Sequence, residues 1–301
     1  MATAALEVEV EGRRLRLSNL DKVLFPATGF TKGQVIDYYT RVAPAVLPHL
    51  RGRALTLRRY PNGVDAGHFF EKQKPSHAPD WVRSATIQAG DRAIDFVLCD
   101  DLPTIVWLAN LADLELHPSL ALASDPDRPT VLAFDLDPGA PAGLAECCEV
   151  AVALREVLEQ LGLSCVPKTS GGSGMQIYAP LDGGATYAAT KPFAHAIARL
   201  LESRMPEQVV SAMARRERTG KVFIDWSQND RHKTTVAVYS LRGRERPTAS
   251  APLDWGEVER VAGGAPAGEL VFEAPALLER VVGRGDLFAA VLADGCPLPE
   301  L

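Results

Sequence analysis

The chain has 301 residues, 47% of them hydrophobic, enough to bury a sizeable core in one large or two small domains. Its net charge of −6 argues against a uniformly basic surface that would coat nucleic acid, although a local basic groove is enough to hold a phosphate backbone. No apolar run reaches the length of a membrane span, and the start, Met1-Ala-Thr-Ala-Ala-Leu6, shows no basic targeting segment with a cleavage site, so a cytoplasmic protein without a membrane partner is expected.

Leu6 to Asn19 alternates apolar and charged residues on both sides of Glu11-Gly12, which predicts a hairpin. Thr31 is a fitting N-cap for a helix over Val35 to Leu50, and Lys22 and Lys32 flank the loop before it. Lysines so placed are ordinarily solvated. Leu55-Thr-Leu-Arg-Arg59 reads as a strand with Arg58 and Arg59 at its end. In Phe69-Phe70 one ring can enter the core while the other stays exposed beside basic residues as a base-stacking platform; burial of both is the plain alternative.

Two short strands are expected around Gly90-Asp91, a helix over Leu102 to Ala112, and a strand end at Leu116-His117-Pro118. The run Val131–Phe134 then carries Asp135 and Asp137 before Pro138-Gly139 stops it. Side chains at i and i+2 of a strand share a face, so two repelling carboxylates project side by side, and a divalent cation is the usual relief for such a pair. An amphipathic helix over Ala142 to Leu161 leads to a strand ending at Lys168. The loop Thr169-Ser170-Gly171-Gly172-Ser173-Gly174 follows, either a nest of backbone N–H groups for an anion or a flexible hairpin turn. It is not a P-loop, because Gly-Lys-Ser/Thr and a following helix are missing.

A further helix is expected over Lys191 to Met205. Lys221-Val-Phe-Ile-Asp225 ends an apolar strand in a third acid, preceded by Arg215-Arg216-Glu217-Arg218 and followed by Gln228. Lys233 to Arg246 reads as another strand, ending in the cluster Arg242, Arg244 and Arg246. Beyond Pro247 only a helix near Pro275 to Val282 is expected. The five cysteines, Cys99, Cys147, Cys148, Cys165 and Cys296, form no C-x-x-C pair and read as reduced thiols.

Three carboxylates holding two divalent ions can align a hydroxyl with a triphosphate, and oxygen ligands favour Mg²⁺ or Mn²⁺ over zinc. Arginines and loop amides would hold the phosphates. A metal-dependent nuclease or nucleotidyl hydrolase would share the acids but leave the arginine strand and the Gly/Ser loop less well explained.

With these stretches in family order, the chain resembles the polymerase domain of bacterial ligase D, within the archaeo-eukaryotic primase superfamily. The matching segments include Leu20-Asp-Lys-Val-Leu-Phe-Pro26, Leu55-Thr-Leu-Arg-Arg-Tyr-Pro-Asn-Gly63, Phe69-Phe-Glu-Lys72, Leu116-His-Pro118, Phe134-Asp-Leu-Asp-Pro-Gly139, Ser170-Gly-Gly172, Phe223-Ile-Asp-Trp-Ser-Gln-Asn229 and Lys233 to Arg242. The resemblance implies an α/β, two-lobed primase-like fold, mixed sheets flanked by helices with the active site in the central cleft. It also implies one primase-polymerase module over residues 1–301, without a ligase or phosphoesterase module.

The same resemblance implies that Asp135, Asp137 and Asp225 are catalytic and bind two Mn²⁺ or Mg²⁺ ions, and that Arg58, His117, Ser170, Gly171, Ser173, Gln228 and Arg242 hold the incoming nucleotide. Lys22 and Lys32 would grip a DNA 5′-phosphate, and Phe69 and Phe70 would stack on the template. The implied activity is DNA-directed nucleotidyl transfer in end joining or gap filling, with NTPs preferred over dNTPs. Gapped or broken DNA, a Ku-type end-binding protein and a separate DNA ligase would be partners at the bacterial nucleoid. Where the family loop reads Ser-Gly-Gly-Lys-Gly-Leu-His, this chain has Ser173 and Gln176 in place of the lysine and the histidine. Loss of one charged phosphate contact costs about 1.5–3 kcal/mol. Weakened synthesis is therefore expected, with a non-catalytic end-binding factor as the rival reading.

Overall fold

The computed structural model describes residues 5–300, and the chain separates into two compact units. The first comprises residues 5–119 with the returning segments Val236–Ala249 and Glu273–Gly285. It opens with the expected hairpin, β1 (Leu6–Val10) against β2 (Arg13–Leu17). Glu11 and Gly12 at its turn both have positive φ, +46° and +76°, as a two-residue turn matched to the strand twist requires. A ribbon of β3 (Val23–Phe25) and β4 (Phe30–Thr31) delivers the chain to α1 (Lys32–Leu50). Thr31 caps α1 in a reciprocal capping box with Gln34.

β5 (Leu55–Arg59), β6 (Phe69–Glu71), β7 (Ser84–Ala89), β8 (Arg92–Val97) and, after α2 (Leu102–Asn110), β9 (Asp113–Pro118) form a five-stranded sheet around β5. The alternation in Leu55-Thr-Leu-Arg and Leu114-Glu-Leu-His decides what its two faces are. Leu55, Leu57, Leu114 and Leu116 are buried, and the antiparallel register sets Thr56 opposite His117 and Arg58 opposite Glu115 on the other face.

The second unit holds β10 (Val131–Pro138), α3 (Leu144–Gln160), β11 (Val166–Thr169), β12 (Met175–Pro180), α4 (Tyr187–Arg204), β13 (Val209–Val210), β14 (Val222–Asp225) and α5 (Trp255–Ala262). Its sheet runs β11-β12-β10-β14-β13, antiparallel except for the β13–β14 pair. Leu132, Phe134, Leu136, Met175, Ile177 and Ile224 form a core with residues of α3 and α4 such as Leu154, Leu158, Phe193 and Ile197. Among the described residues no helix is long and apolar enough to cross a membrane.

Three expectations need correction. Lys233 to Arg246 is not a ladder strand. It is tied by isolated contacts, Ala237 N–H to Leu116 O at 2.8 Å and a single bridge from Leu241 to Ala249, and Tyr239 turns the chain with φ +64°. The helix expected from Lys191 begins at Tyr187, after extended Thr186. α5 forms where no helix is expected, although Asp254 and Glu257 make a capping box legible in the sequence. Of the cysteines, Cys296 is exposed and the other four are buried free thiols.

Candidate active site

In the second unit the register assembles one transverse row across four strands. Lys168 pairs with Gln176, Gln176 with Asp135, and Asp135 with Asp225, while Asp137 lies two residues along β10 on the same face. This face is opposite the one that buries Phe134 and Leu136, so the apolar residues alternating with the acids anchor the strand. Burial pushes the Asp135 carboxyl well above the usual carboxylate range; the Asp137 charge adds to this, and a hydrogen bond from Gln176 opposes it.

Lys168 is only 1% exposed, and its Nζ donates to Gln176 Oε1 at 2.5 Å and to Ser250 Oγ at 2.8 Å. With its oxygen committed to the ammonium, the Gln176 amide turns its NH₂ toward Asp135.

Asp225 caps the short turn that follows it. Its Oδ1 accepts from the Ser227 amide at 3.0 Å and from the Ser227 hydroxyl, and its Oδ2 accepts from Gln228 Nε2 at 2.9 Å. Lys233 Nζ lies 3.9 Å from Oδ2 and donates to Ser227 Oγ. Three carboxylates on one face are a hard-oxygen donor set that fits a divalent cation. Among the described residues, however, no three His, Cys, Asp or Glu side chains form a group that could hold an ion. Asp135 and Asp225 are turned onto the protein's own donors, which satisfy buried carboxylate oxygens.

The Gly/Ser loop stands beside these acids. A Cβ on Gly174 would come 2.1 Å from the carbonyl oxygen of Leu136, the residue between Asp135 and Asp137. Only glycine permits that approach. Ser170 closes the loop: its N–H and hydroxyl both donate to Gly174 O, at 2.9 and 3.0 Å, and its Oγ accepts from Gly172 N–H at 3.2 Å. Gly171 adopts φ +70°, and Ser173 is exposed.

In the first unit Arg58, His117 and Arg242 converge on one residue that no motif marks, Glu115, which is 1% exposed. Arg58 Nη1 bonds both carboxylate oxygens at 2.9 and 3.0 Å, His117 Nε2 lies 3.1 Å from Oε2, and Arg242 Nε lies 3.3 Å from Oε2. Tyr60 Oη donates to Oε1 at 2.7 Å and Gly243 N–H does so at 3.0 Å. Burial raises the Glu115 carboxyl, but the hydrogen bonds and charges of His117, Arg242 and Tyr60 outweigh it and hold Glu115 well below the usual range. Asp113, two residues earlier on β9 and fully buried, is pushed the other way by burial. His117 is lowered by burial first and then by Arg242 and Arg58, with Glu115 opposing. A signal for Glu115 exists in hindsight: two alternating strands, one ending in arginines and the other carrying an acid and a histidine.

Both rings of Phe69-Phe70 are exposed, 44% and 57%, which excludes burial of either. Among the described residues β6 pairs with β5 alone, and its rings lie against cross-strand arginines: Arg59 is 5.2 Å from the Phe69 centroid and Arg58 is 5.2 Å from that of Phe70. Phe70 also meets His117 edge-on at 5.9 Å. Lys22 and Lys32 are neighbours, since the Lys32 amide donates to Lys22 O at 2.8 Å. They are not two solvated lysines. Lys22 Nζ donates to Asn62 Oδ1 at 3.0 Å, and Lys32, 6% exposed, donates to Ser18 O at 2.7 Å. Burial, and then the charges of Lys22 and Arg59, push Lys32 down to about 8.

Residues 31–288 match the model of the LigD primase-polymerase domain. The chain is 41% identical over 290 residues to the multifunctional non-homologous end joining DNA repair protein LigD of Mycobacterium tuberculosis, covering 94% of this chain and 37% of that protein. To the bifunctional non-homologous end joining protein LigD of Bacillus subtilis it is 36% identical over 248 residues, 82% of this chain and 40% of that one. It thus spans less than half the length of these curated relatives. The solved polymerase domain of Mycobacterium tuberculosis ligase D in complex with DNA superposes with a TM-score of 0.87 at 40% identity, covering 94% of this chain and 99% of that one. With the α/β fold in place and the family's model spanning most of its length, this chain belongs to the LigD primase-polymerase domain family.

Proposed function

We propose that this chain is one catalytic module that adds nucleotides to DNA 3′ ends at gaps or breaks bearing a 5′-phosphate, in end joining or gap-filling repair. The observation that carries this reading is the placement of Asp135, Asp137 and Asp225 on one face, with Asp135 and Asp225 directly opposed. Asp135, Asp137 and Asp225 would hold Mn²⁺ or Mg²⁺, which when bound supplies Lewis-acid activation and neutralises phosphate charge.

The protein's own groups do the rest. Gln176 and Ser227 orient the carboxylates of Asp135 and Asp225. Arg58, Arg242, His117 and Gln228, with the loop residues Ser170, Gly171 and Ser173, bind the nucleotide and its phosphates. Charge-assisted bonds of this kind are the strong ones, and the guanidinium fork suits phosphate oxygens. Lys22 and Lys32 hold the 5′-phosphate, and Phe69 and Phe70 offer exposed faces to template bases. Ribonucleotides are the preferred substrates in this reading, dNTPs the weaker ones, with a Ku-type protein and a separate ligase as partners.

A second reading is favoured by Ser173 and Gln176: an end-binding factor in which Lys22 and Lys32 recognise 5′-phosphates while synthesis is slow. Primer extension on a gapped duplex with a downstream 5′-phosphate, with Mn²⁺ and NTPs or dNTPs, separates the two. Extension lost in Asp135→Ala/Asp137→Ala supports the polymerase. No extension, with tight binding that disappears in Lys22→Ala/Lys32→Ala, supports the end-binding factor.

A further inference from the structure

The three nucleotide-holding residues of the first unit share one support. Arg58 comes from β5, His117 from β9 and Arg242 from the returning segment, so no single element fixes their mutual positions. Glu115 is within 2.9–3.3 Å of a polar atom of each. It is held in its turn by Tyr60 and by the Gly243 amide. The dipeptide Arg242-Gly243 has a geometric reason here, because a Cβ at Gly243 would come within 2.1 Å of the Tyr60 ring. Tyr60 could not then reach Glu115.

We propose that Glu115 is the positioning residue of the nucleotide site, a buried anion that sets the directions of Arg58, His117 and Arg242. This rests on the nucleotide-binding role proposed above for those three. Two consequences follow from the chemistry. An ionised carboxylate only accepts hydrogen bonds, so His117 Nε2 carries the hydrogen and the neutral ring keeps Nδ1 as an acceptor. The pair of arginines with Glu115 leaves one net positive charge, an anion site that does not collapse on its own repulsion. Glu115 also reaches the exposed Phe70 ring, through Arg58 on one side and His117 on the other.

The test uses the whole chain with ¹⁵N-labelled histidine, below its melting temperature. Glu115→Gln keeps the volume and turns an amide NH₂ on groups that themselves donate. The expected result is a nucleotide affinity, read with Mn²⁺ and an NTP, about ten- to a hundredfold weaker. The His117 ring nitrogen signals should lose the Nε2–H pattern, and Glu115→Asp should restore part of both. Binding of DNA through its 5′-phosphate, which depends on Lys22 and Lys32 of the same unit, should stay within about twofold, since those contacts do not involve Glu115. Folded Glu115→Gln protein with wild-type nucleotide affinity and an unchanged His117 tautomer would overturn the proposal. If Glu115→Gln fails to fold, Tyr60→Phe takes its place, with a severalfold loss expected and no loss overturning it. Wild-type protein that binds no NTP would instead sink the functional reading, and the His117 tautomer in the variant would still decide the role of Glu115.

Discussion

Glu115 and Asp135 are both acids on strands with a core-facing side, and their carboxyls move in opposite directions. Glu115 is surrounded by two guanidinium groups, an imidazole and a phenol, and stays ionised in the interior. Asp135 has Asp137 on its own strand and Asp225 across the ladder, with a buried lysine bonded to the Gln176 amide that in turn bonds Asp135. Burial penalises both charges, so the neighbours decide the sign. The first centre is complete as it stands. The second sets three acids on one face, with Lys168 behind Gln176 and Lys233 beside Asp225, so its carboxylates repel one another more than they are compensated.

The largest effect should come from removing two of these acids. Asp135→Ala/Asp137→Ala should lower primer extension by about three decades or more, a loss of several kcal/mol of transition-state stabilisation. Next, Glu115→Gln should reduce folding stability by about 3 kcal/mol in chemical denaturation, because Arg58 and Arg242 lose the partner that compensates their burial. Asp137→Asn should do the reverse in EDTA. Relieving the repulsion on Asp135 should raise stability by about 1 kcal/mol while extension is lost. If Glu115→Gln and Asp137→Asn shifted the denaturation midpoint the same way, the contrast between the two centres would be wrong.

Two smaller effects refine the picture. Ser173→Lys should tighten NTP binding by about tenfold if the exposed loop position meets phosphate, and should leave 5′-phosphate binding unchanged. The second concerns pH. Lys32 has its charged form disfavoured by burial, with Lys22 and Arg59 adding to it, and titrates near 8 where an ordinary lysine would titrate near 10.5. It is charged below about 8 and neutral above. The affinity advantage of a 5′-phosphorylated over an unphosphorylated end should therefore shrink severalfold between about pH 7 and 9. A flat profile would show that Lys32 does not supply the charge.

Most of the elements were legible because strand alternation, capping boxes and turn glycines are local properties of the backbone. The hairpin at Leu6 to Leu17, α1 with Thr31 at its cap, and β10 ending in Asp135 and Asp137 all follow from residues a few positions apart. That Asp135 and Asp137 share a face needs only the two-residue period of a strand. The segment Lys233 to Arg246 defeated the same reasoning, since its apolar residues are buried by isolated contacts without a ladder partner. What sequence alone could not decide is which strand lies beside which. Glu115 alternates like any acid on a wet sheet face, and Lys168 looks like a terminal surface lysine. Only the pairing of β5 with β9, and of β12 with both β11 and β10, makes one an anion hub and the other a buried charge behind a carboxylate. Periodicity is set by neighbours along the chain, whereas the charge state of a buried group is set by neighbours across it, and those are chosen by long-range packing.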